Sequence, residues 1–298
     1  LASSLGHLGS GPRWTSFMSN YKVSVIICTM NCDDSIEECI TSAVNNKPFE
    51  LIVVDGKSRD DTMSIVRKYT NRVYTDPGQG LAKARNIGFS KATGDYIFYL
   101  GSDNVIAEGT LEHTVEYMAT KGLVGCALPT RLRDPSNYCS KGLDFRWKTR
   151  FFEGEREVIG TPSCWTRAVL AKFPFDDNLS WSDDTDIGAR LKEEGHKVAY
   201  SSLTCYEIGF SDWRDIVSRF RLYGLSDLEY YNKYKDSWTR PRRIKSLLHP
   251  IRAEIVDPLR YASPLEAVYF IPFLLWICLN RIVGFRVARK RFHESTRT

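Results

Sequence analysis

The sequence predicts an α/β protein built on a sheet with several parallel strands. From Tyr21 onward, apolar runs of strand length alternate with helix-length segments whose apolar residues recur at helical spacing. The strand-like runs are continuously apolar, as strands covered on both faces should be. Two of them end next to acidic residues, Asp55 and Asp103. Ligands in such sheets sit at the carboxyl ends of the strands.

In chain order, Val23 to Cys28 is the first apolar strand. Asp33 and Asp34 can cap a helix carrying Ile36, Cys39, Ile40, Ala43 and Val44. Leu51 to Val54 is a second strand and ends at Asp55; a helix follows Asp60 and Asp61. Arg72 to Thr75 is a short strand, Leu81 to Ala92 a helix, and Tyr96 to Leu100 a strand ending near Ser102 and Asp103. Arg131 to Arg156 is polar and aromatic with weak periodicity, which predicts a long connection serving as a mobile acceptor loop. Ile159 to Phe173 resumes regular structure. Asp183 to Glu194 then reads as a helix, Val198 to Leu203 as a strand and Asp212 to Tyr234 as a long helix.

Composition narrows the class. At 298 residues, 43% hydrophobic and 26% charged, the chain is long and apolar enough for one large folded domain or for a domain plus an appendage. Its net charge of +5 is unevenly placed. Trp238 to Thr298 holds 12 Lys or Arg against 4 Asp or Glu, while the remainder holds 29 against 32. Such a tail suits an anionic surface, a membrane or a nucleic acid, and no aromatic-interleaved nucleic-acid module accompanies it. Val268 to Leu279 has no charge but includes Pro272, and Arg281, Arg286, Arg289, Lys290 and Arg291 follow. About 20 apolar residues are needed to span a bilayer, so this segment predicts a helix lying at the membrane interface. A C-terminal helix packed on the core with a solvated basic end is the second reading, and a true membrane span the third. The eight cysteines include no C-x-x-C pair, which argues against a zinc ribbon and for buried free thiols in a reducing compartment. No secretory signal is visible. The Gly- and Ser-rich residues 1–20 read as a disordered leader or expression remnant, with Met18 as the natural start. The expected division is 1–20 leader, 21–210 catalytic domain and 211–298 helical region.

Three acidic positions suit recognition and transfer of a nucleotide sugar. A carboxylate at a strand end can accept from a base N–H, which fits Asp55. A divalent cation held by carboxylate oxygens neutralises a departing diphosphate, which fits Asp103. An acceptor hydroxyl needs a base to take its proton, which the cluster Asp183-Asp184-Thr185-Asp186 can supply. Each position has a plainer reading as well: a turn or helix cap, or acidic residues favoured by a helix N-terminus.

In order and spacing these positions resemble the family 2 glycosyltransferases of GT-A fold, over roughly Tyr21 to Gly224. Val23-Ser-Val-Ile-Ile-Cys-Thr-Met-Asn31 resembles the opening strand, with Cys28 and Met30 in place of the usual Pro and Tyr. Glu50-Leu-Ile-Val-Val-Asp-Gly-Lys-Ser-Arg-Asp-Asp-Thr62 resembles the second strand and its turn, with Gly56 replacing the turn's second Asp. Gly80-Leu-Ala-Lys-Ala-Arg-Asn-Ile-Gly88 resembles the segment near the diphosphate, and Ala92 to Leu100 the strand leading into the D-x-D motif. That motif reads Gly101-Ser102-Asp103 here. Trp181 to Leu191 resembles the segment that carries the catalytic base, and Phe220 to Gly224 a segment of non-processive members. No Gln-x-x-Arg-Trp motif is present, which argues against a processive synthase.

The resemblance implies a GT-A mixed sheet flanked by helices and inverting sugar transfer, to which the apolar run and basic tail add a C-terminal membrane-associating helical appendage. It implies Asp184 as catalytic base; Thr29, Asn31, Asp55, Ser58, Gly80, Lys83, Arg85, Asn86 and Ser102 as donor-binding residues; and Trp165, Asp183, Asp186 and Arg190 as acceptor-binding or supporting residues. Asp103, with Glu207 where the family often has a His, would hold Mn²⁺ or Mg²⁺. The expected partners are a nucleotide-sugar donor, UDP-linked before GDP-linked, a glycan or polyprenyl-linked acceptor, and the cytoplasmic membrane face. A non-catalytic sugar-nucleotide-binding relative is the alternative suggested by Gly56 and Gly101. A sugar nucleotidyltransferase is disfavoured, because its glycine-rich phosphate loop with a basic residue is absent after the first strand.

Overall fold

The computed structural model describes residues 21–179, 181–209 and 212–295 of the chain. The leader expected at 1–20 lies outside these residues.

The strands are β1 (Val23–Thr29), β2 (Glu50–Asp55), β3 (Val73–Thr75), β4 (Tyr96–Gly101), β5 (Asn104–Val105), β6 (Gly125–Ala127), β7 (Thr130–Leu132), β8 (Gly154–Arg156), β9 (Ser163–Thr166), β10 (Val198–Tyr200) and β11 (Cys205–Glu207). The helices of the first half are α1 (Ile36–Asn45), α2 (Thr62–Val66), α3 (Leu81–Lys91), α4 (Thr110–Lys121) and α5 (Tyr138–Arg150). They are followed by α6 (Arg167–Lys172), α7 (Asp183–Glu193), α8 (Trp213–Tyr234), α9 (Arg240–Leu247) and α10 (His249–Ile251). A π-helical turn at Arg252–Val256 leads into α11 (Asp257–Tyr261) and α12 (Pro264–Ser295).

Eight strands form one mixed sheet in the order β3-β2-β1-β4-β9-β6-β10-β8. Strands β1, β2, β3 and β4 run parallel, as the alternation of strand and helix predicts. β9 enters antiparallel between β4 and β6. The register pairs Thr29 with Asp55 and Cys28 with Gly101, so the carboxyl ends of β1, β2 and β4 finish level. β1 and β2 are buried almost throughout, with Val25, Ile26, Ile27, Ile52, Val53 and Val54 fully inaccessible, which explains their unbroken apolar runs. A second sheet, β5-β11-β7, stands beside the first and pairs Glu207 with Asn104.

Arg131 to Arg156 differs from the expected mobile loop. It contains β7, β8 and the thirteen-residue helix α5, which opens on a capping box between Asn137 and Ser140. The helix lacks periodicity because it is covered on most sides: Leu143, Asp144, Phe145, Arg146 and Trp147 are all buried in succession. Its polar residues are paired. Arg131 forks onto Asp144 at 2.7 and 2.5 Å, and Arg146 is ion-paired to the fully buried Glu254.

The C-terminal helices share a core with this region. Leu132, Leu143, Phe145 and Trp147 pack with Ile216, Phe220, Phe273 and Ile277. α12 is continuous through Pro272 and lies along α8 with its inner face, where Gly284 meets the Arg221 backbone and Gly224 the Arg281 backbone. Arg281, also on that face, bonds Asp227 at 2.7 Å through both Nε and Nη2 and is ion-paired to Glu254. The outer face is apolar and exposed at Leu265, Val268, Tyr269, Leu275 and Leu279. By length and composition Pro264–Phe292 is apolar enough to cross a membrane, and 39% of its most apolar window is buried within the protein.

Candidate active site

The level ends of β1, β2 and β4 gather the first group of residues. Asp55, buried at the end of β2, accepts hydrogen bonds from the Ser58 backbone N–H at 3.1 Å and the Ser58 hydroxyl at 2.7 Å. The same Ser58 hydroxyl accepts from Asn31 N–H at 2.9 Å, and Asn31 Oδ1 accepts from Arg59 N–H at 2.8 Å. Asn31 takes a positive φ of 50°, which Asn tolerates better than most residues. Thr29, buried at the end of β1, accepts Gly56 N–H on its carbonyl at 2.8 Å. Thr29, Asn31, Asp55 and Ser58 therefore form one bonded floor. An ionised carboxylate offers about four lone-pair positions, so Asp55 retains acceptor capacity after its Ser58 bonds.

Arg85 and Asp183 form the second group. Arg85, on α3, is buried with its guanidinium ion-paired to Asp183 and bonded to the Thr161 hydroxyl. It stacks 5.2 Å from the Phe175 ring centroid. Gly80, which starts α3, has a φ of 99° that favours glycine. Lys83 and Asn86 turn elsewhere. Lys83 pairs with Asp177 at 2.5 Å, while Asn86 holds the Phe175 carbonyl and Asp177 at 2.7 and 2.6 Å. Both brace the 175–177 segment.

Asp184 follows Asp183 in the first turn of α7 and is half-buried. Its Oδ1 accepts from its neighbour Thr185 N–H at 2.6 Å. Its Oδ2 faces Gly160, where a Cβ would lie 3.6 Å away. Tyr200, which sequence reasoning missed, flanks this place and accepts Gly160 N–H at 3.3 Å. Burial pushes the Asp184 carboxyl up to about 6, the Asp183 charge adds to the rise, and Arg85 opposes it. A carboxylate tuned toward neutrality is suited to taking a proton.

Three of the supporting residues have structural roles in place of acceptor contacts. Trp165 is 1% exposed, its ring lies against Gly125, and its indole N–H bonds Ser163 at 2.9 Å. It is a core residue. Asp186 is fully buried and receives Arg190 at 2.8 Å, the Tyr234 hydroxyl at 2.6 Å and Lys233. Arg190 also bonds the Pro174 carbonyl. Asp186 and Arg190 thus fasten α7 to α8 and to the 174–177 segment.

At the D-x-D position, Ser102 and Asp103 occupy the turn between β4 and β5. Asp103 and Glu207 come together, because Ile208 N–H bonds the Asp103 carbonyl at 2.8 Å. A third residue joins them. Arg219 of α8 sets Nη2 2.8 Å from Glu207 Oε1 and 3.8 Å from Asp103 Oδ2. Burial pushes Glu207 up to about 7 against the pull of Arg219. As a pair these carboxylates do not fit a preformed dication site, because a guanidinium already lies against both. Arg219 stands one residue before the Phe220–Gly224 segment that the sequence pattern marks, and a helical face was the signal available to find it.

A cavity of about 1280 Å³ lies between α8 and α12. Leu222, Leu225, Leu228, Val283 and Val287 form its apolar wall, with Arg221 and Arg291 beside them. Glu229 on this wall accepts Trp181 N–H at 3.3 Å, just before the Asp183–Asp184 turn.

A family profile described as glycosyl transferase family 2 matches residues 24–168. The chain is 35% identical over 99 residues to a cholesterol galactosyltransferase of Borreliella burgdorferi, covering 31% of this chain and 28% of the relative. It is 32% identical over 105 residues to an Escherichia coli UDP-Glc:α-D-GlcNAc-diphosphoundecaprenol β-1,3-glucosyltransferase, covering 33% and 42%. The chain thus spans less than half the length of these curated relatives. In fold it is similar to a mannosyltransferase of Pyrobaculum calidifontis solved with GDP-Man and Mn²⁺, at a TM-score of 0.63 and 18% identity over 90% of this chain and 86% of that one. The fold is therefore the GT-A type.

Proposed function

The chain belongs to glycosyl transferase family 2 through its residues 24–168, and from that premise we propose that it moves a sugar from a nucleoside-diphosphate sugar to an acceptor hydroxyl with inversion. The observation that carries this reading is Asp184, a half-buried carboxyl pushed up to about 6 beside the Arg85–Asp183 pair. Asp55 accepts from a base N–H on the Thr29–Ser58 floor. The acceptor hydroxyl gives its proton to Asp184 as its oxygen bonds the anomeric carbon. The bond from that carbon to the diphosphate breaks, and the electron pair leaves with the diphosphate. Arg85 is a positioning residue: it fixes Asp183, and through it the first turn of α7.

A divalent cation, as in the mannosyltransferase solved with Mn²⁺, would be held here by Asp103 together with diphosphate oxygens and would supply charge neutralisation. Glu207 is not assigned to it, because Arg219 already engages that carboxylate. A UDP-sugar is the first donor to test, given the UDP-Glc relative.

For the acceptor we propose a lipid-linked glycan met at the cytoplasmic membrane face. The exposed apolar face of α12 and the basic tail support interfacial contact. A crossing is disfavoured because α8, packed alongside, carries Arg221, Asp227 and Lys233, which are costly in hydrocarbon. The groove between α8 and α12 suits the hydrocarbon chain of that acceptor: its wall is apolar, Arg221 and Arg291 suit a phosphate, and Glu229 connects it to the Asp184 turn.

The test is turnover of UDP- and GDP-sugars with a polyprenyl-phosphate-linked acceptor. Product formation that is lost in Asp184→Asn supports the proposal. A folded chain that turns over none of them contradicts it.

A further inference from the structure

Resting on the nucleotide-sugar reading, we infer that Arg219 is the resident cation for the donor's diphosphate, and that Glu207 is the positioning residue that holds it. Three observations converge on this. First, the position that carries the first D-x-D carboxylate in other family members takes a side chain here only if the tips of Asn104 and Asp103 shift. A Cβ on Gly101 would lie 2.5 Å from Asn104 Oδ1 and 3.0 Å from Asp103 Oδ1, and Asn104 is itself buried. Second, Glu207 is 6% exposed and faces Arg219 with both oxygens: Nη2 lies 2.8 Å from Oε1, and Nη1 donates to Oε2 at 3.3 Å. Oε2 accepts that hydrogen bond while Oε1 meets Nη2 by charge alone, and together they orient the guanidinium plane. Third, that plane is braced by the Trp147 ring, 5.7 Å from centroid to Cζ, and reaches toward Asp103, 3.8 Å away. The Arg219 side chain keeps 23% of its surface accessible while lying this close to the Gly101–Asp103 turn.

A planar fork suits the diphosphate better than a point charge would. It offers parallel N–H donors to two oxygens and stays protonated at every working pH. Diphosphate binding is therefore built into the chain and does not wait for a metal, whatever a dication at Asp103 adds to turnover.

The experiment is calorimetric titration of the full chain with UDP and UMP, and with GDP and GMP in parallel, in EDTA and again in Mn²⁺. The proteins are wild type, Arg219→Gln, Arg219→Lys and Glu207→Gln, each checked by thermal melting. The wild type is expected to bind one nucleoside diphosphate in EDTA. Arg219→Gln should weaken that binding by about 10- to 100-fold, the worth of a charged hydrogen-bonded contact. It should leave the monophosphate within about threefold, and Arg219→Lys and Glu207→Gln should fall between. Because Arg219→Lys keeps the charge, its split between diphosphate and monophosphate decides the matter if Arg219→Gln fails to fold. Equal diphosphate affinity in wild type and the Arg219 variants overturns the inference alone. So does wild-type binding that needs Mn²⁺ and is lost in Glu207→Gln, which would make Glu207 a metal ligand. If no nucleotide binds under any condition, the transferase reading itself falls and the inference with it.

Discussion

Replacing Asp184 by Asn separates catalytic from structural readings of that residue, because the two predict opposite changes in stability. Its pKa rises from 3.8 unfolded to about 6 folded. Between those values the folded state holds more protons than the unfolded state, so stability falls as pH rises through the window and stays lost above it. Each pKa unit is worth about 1.36 kcal/mol, so the full penalty is about 3 kcal/mol. Asp184 keeps some access to water, and screening reduces the penalty to about 1–2 kcal/mol. Asparagine is neutral and can still accept from Thr185 N–H. The variant should therefore melt about 3–6 °C higher than wild type at pH 7.5, with the gap closing near pH 4. Sugar transfer should drop by about 10²–10⁴-fold. Wild-type turnover should decline as pH falls below about 6, because the base becomes protonated. Thermal melts across pH and initial rates with a fixed donor read both effects. A variant that melts lower at pH 7.5 and keeps near-normal turnover would refute this reasoning. Asp184 would then be a helix-start residue stabilised by the α7 dipole.

Other expectations follow from the packing. Trp165→Ala should cost about 3–5 kcal/mol in chemical denaturation and leave acceptor preference unchanged, since the ring lies in the core against Gly125. A change of acceptor preference without loss of stability would return Trp165 to the site. Gly284→Ala should lower the melting temperature by several degrees, because its Cβ would meet the Arg221 carbonyl oxygen at 2.1 Å and force α8 and α12 apart. An unchanged melting temperature would mean that the two helices do not cross so closely. Replacing Val268, Leu275 and Leu279 together by Glu should abolish flotation with anionic liposomes while the melting temperature holds, since all three are exposed. Undiminished flotation would place the membrane contact elsewhere.

The parallel half of the sheet was legible because its strands are buried on both faces and read as apolar runs, and its floor because Asp55 and Ser58 belong to one local turn. The long helices α7 and α8 announced themselves by periodicity. Helix α5 did not, because burial on most sides removes the amphipathic pattern, and its charged residues are satisfied by partners such as Glu254, 108 residues away. The same long-range pairing hid the roles of Asp186 and Arg219. A cluster of Asp residues reads as chemistry until Lys233 and Tyr234 are seen on Asp186. Trp165, expected from the resemblance among the acceptor-binding or supporting residues, lies on a strand in the middle of the sheet, a place that only the strand order reveals. Local turns and strand ends are written locally, whereas ion pairs between distant elements are not.

The most direct measurement of the central claim is donor cleavage. Purified chain is incubated with single UDP- and GDP-sugars, with and without Mn²⁺, and release of the nucleoside diphosphate is followed, with water standing in for the acceptor. The account predicts slow release from one donor, abolished in Asp184→Asn while that variant still binds the nucleotide, and loss of nucleotide binding in Asp55→Ala. Release that persists at the wild-type rate in Asp184→Asn, or a folded protein that neither binds nor cleaves any of these donors, would contradict it.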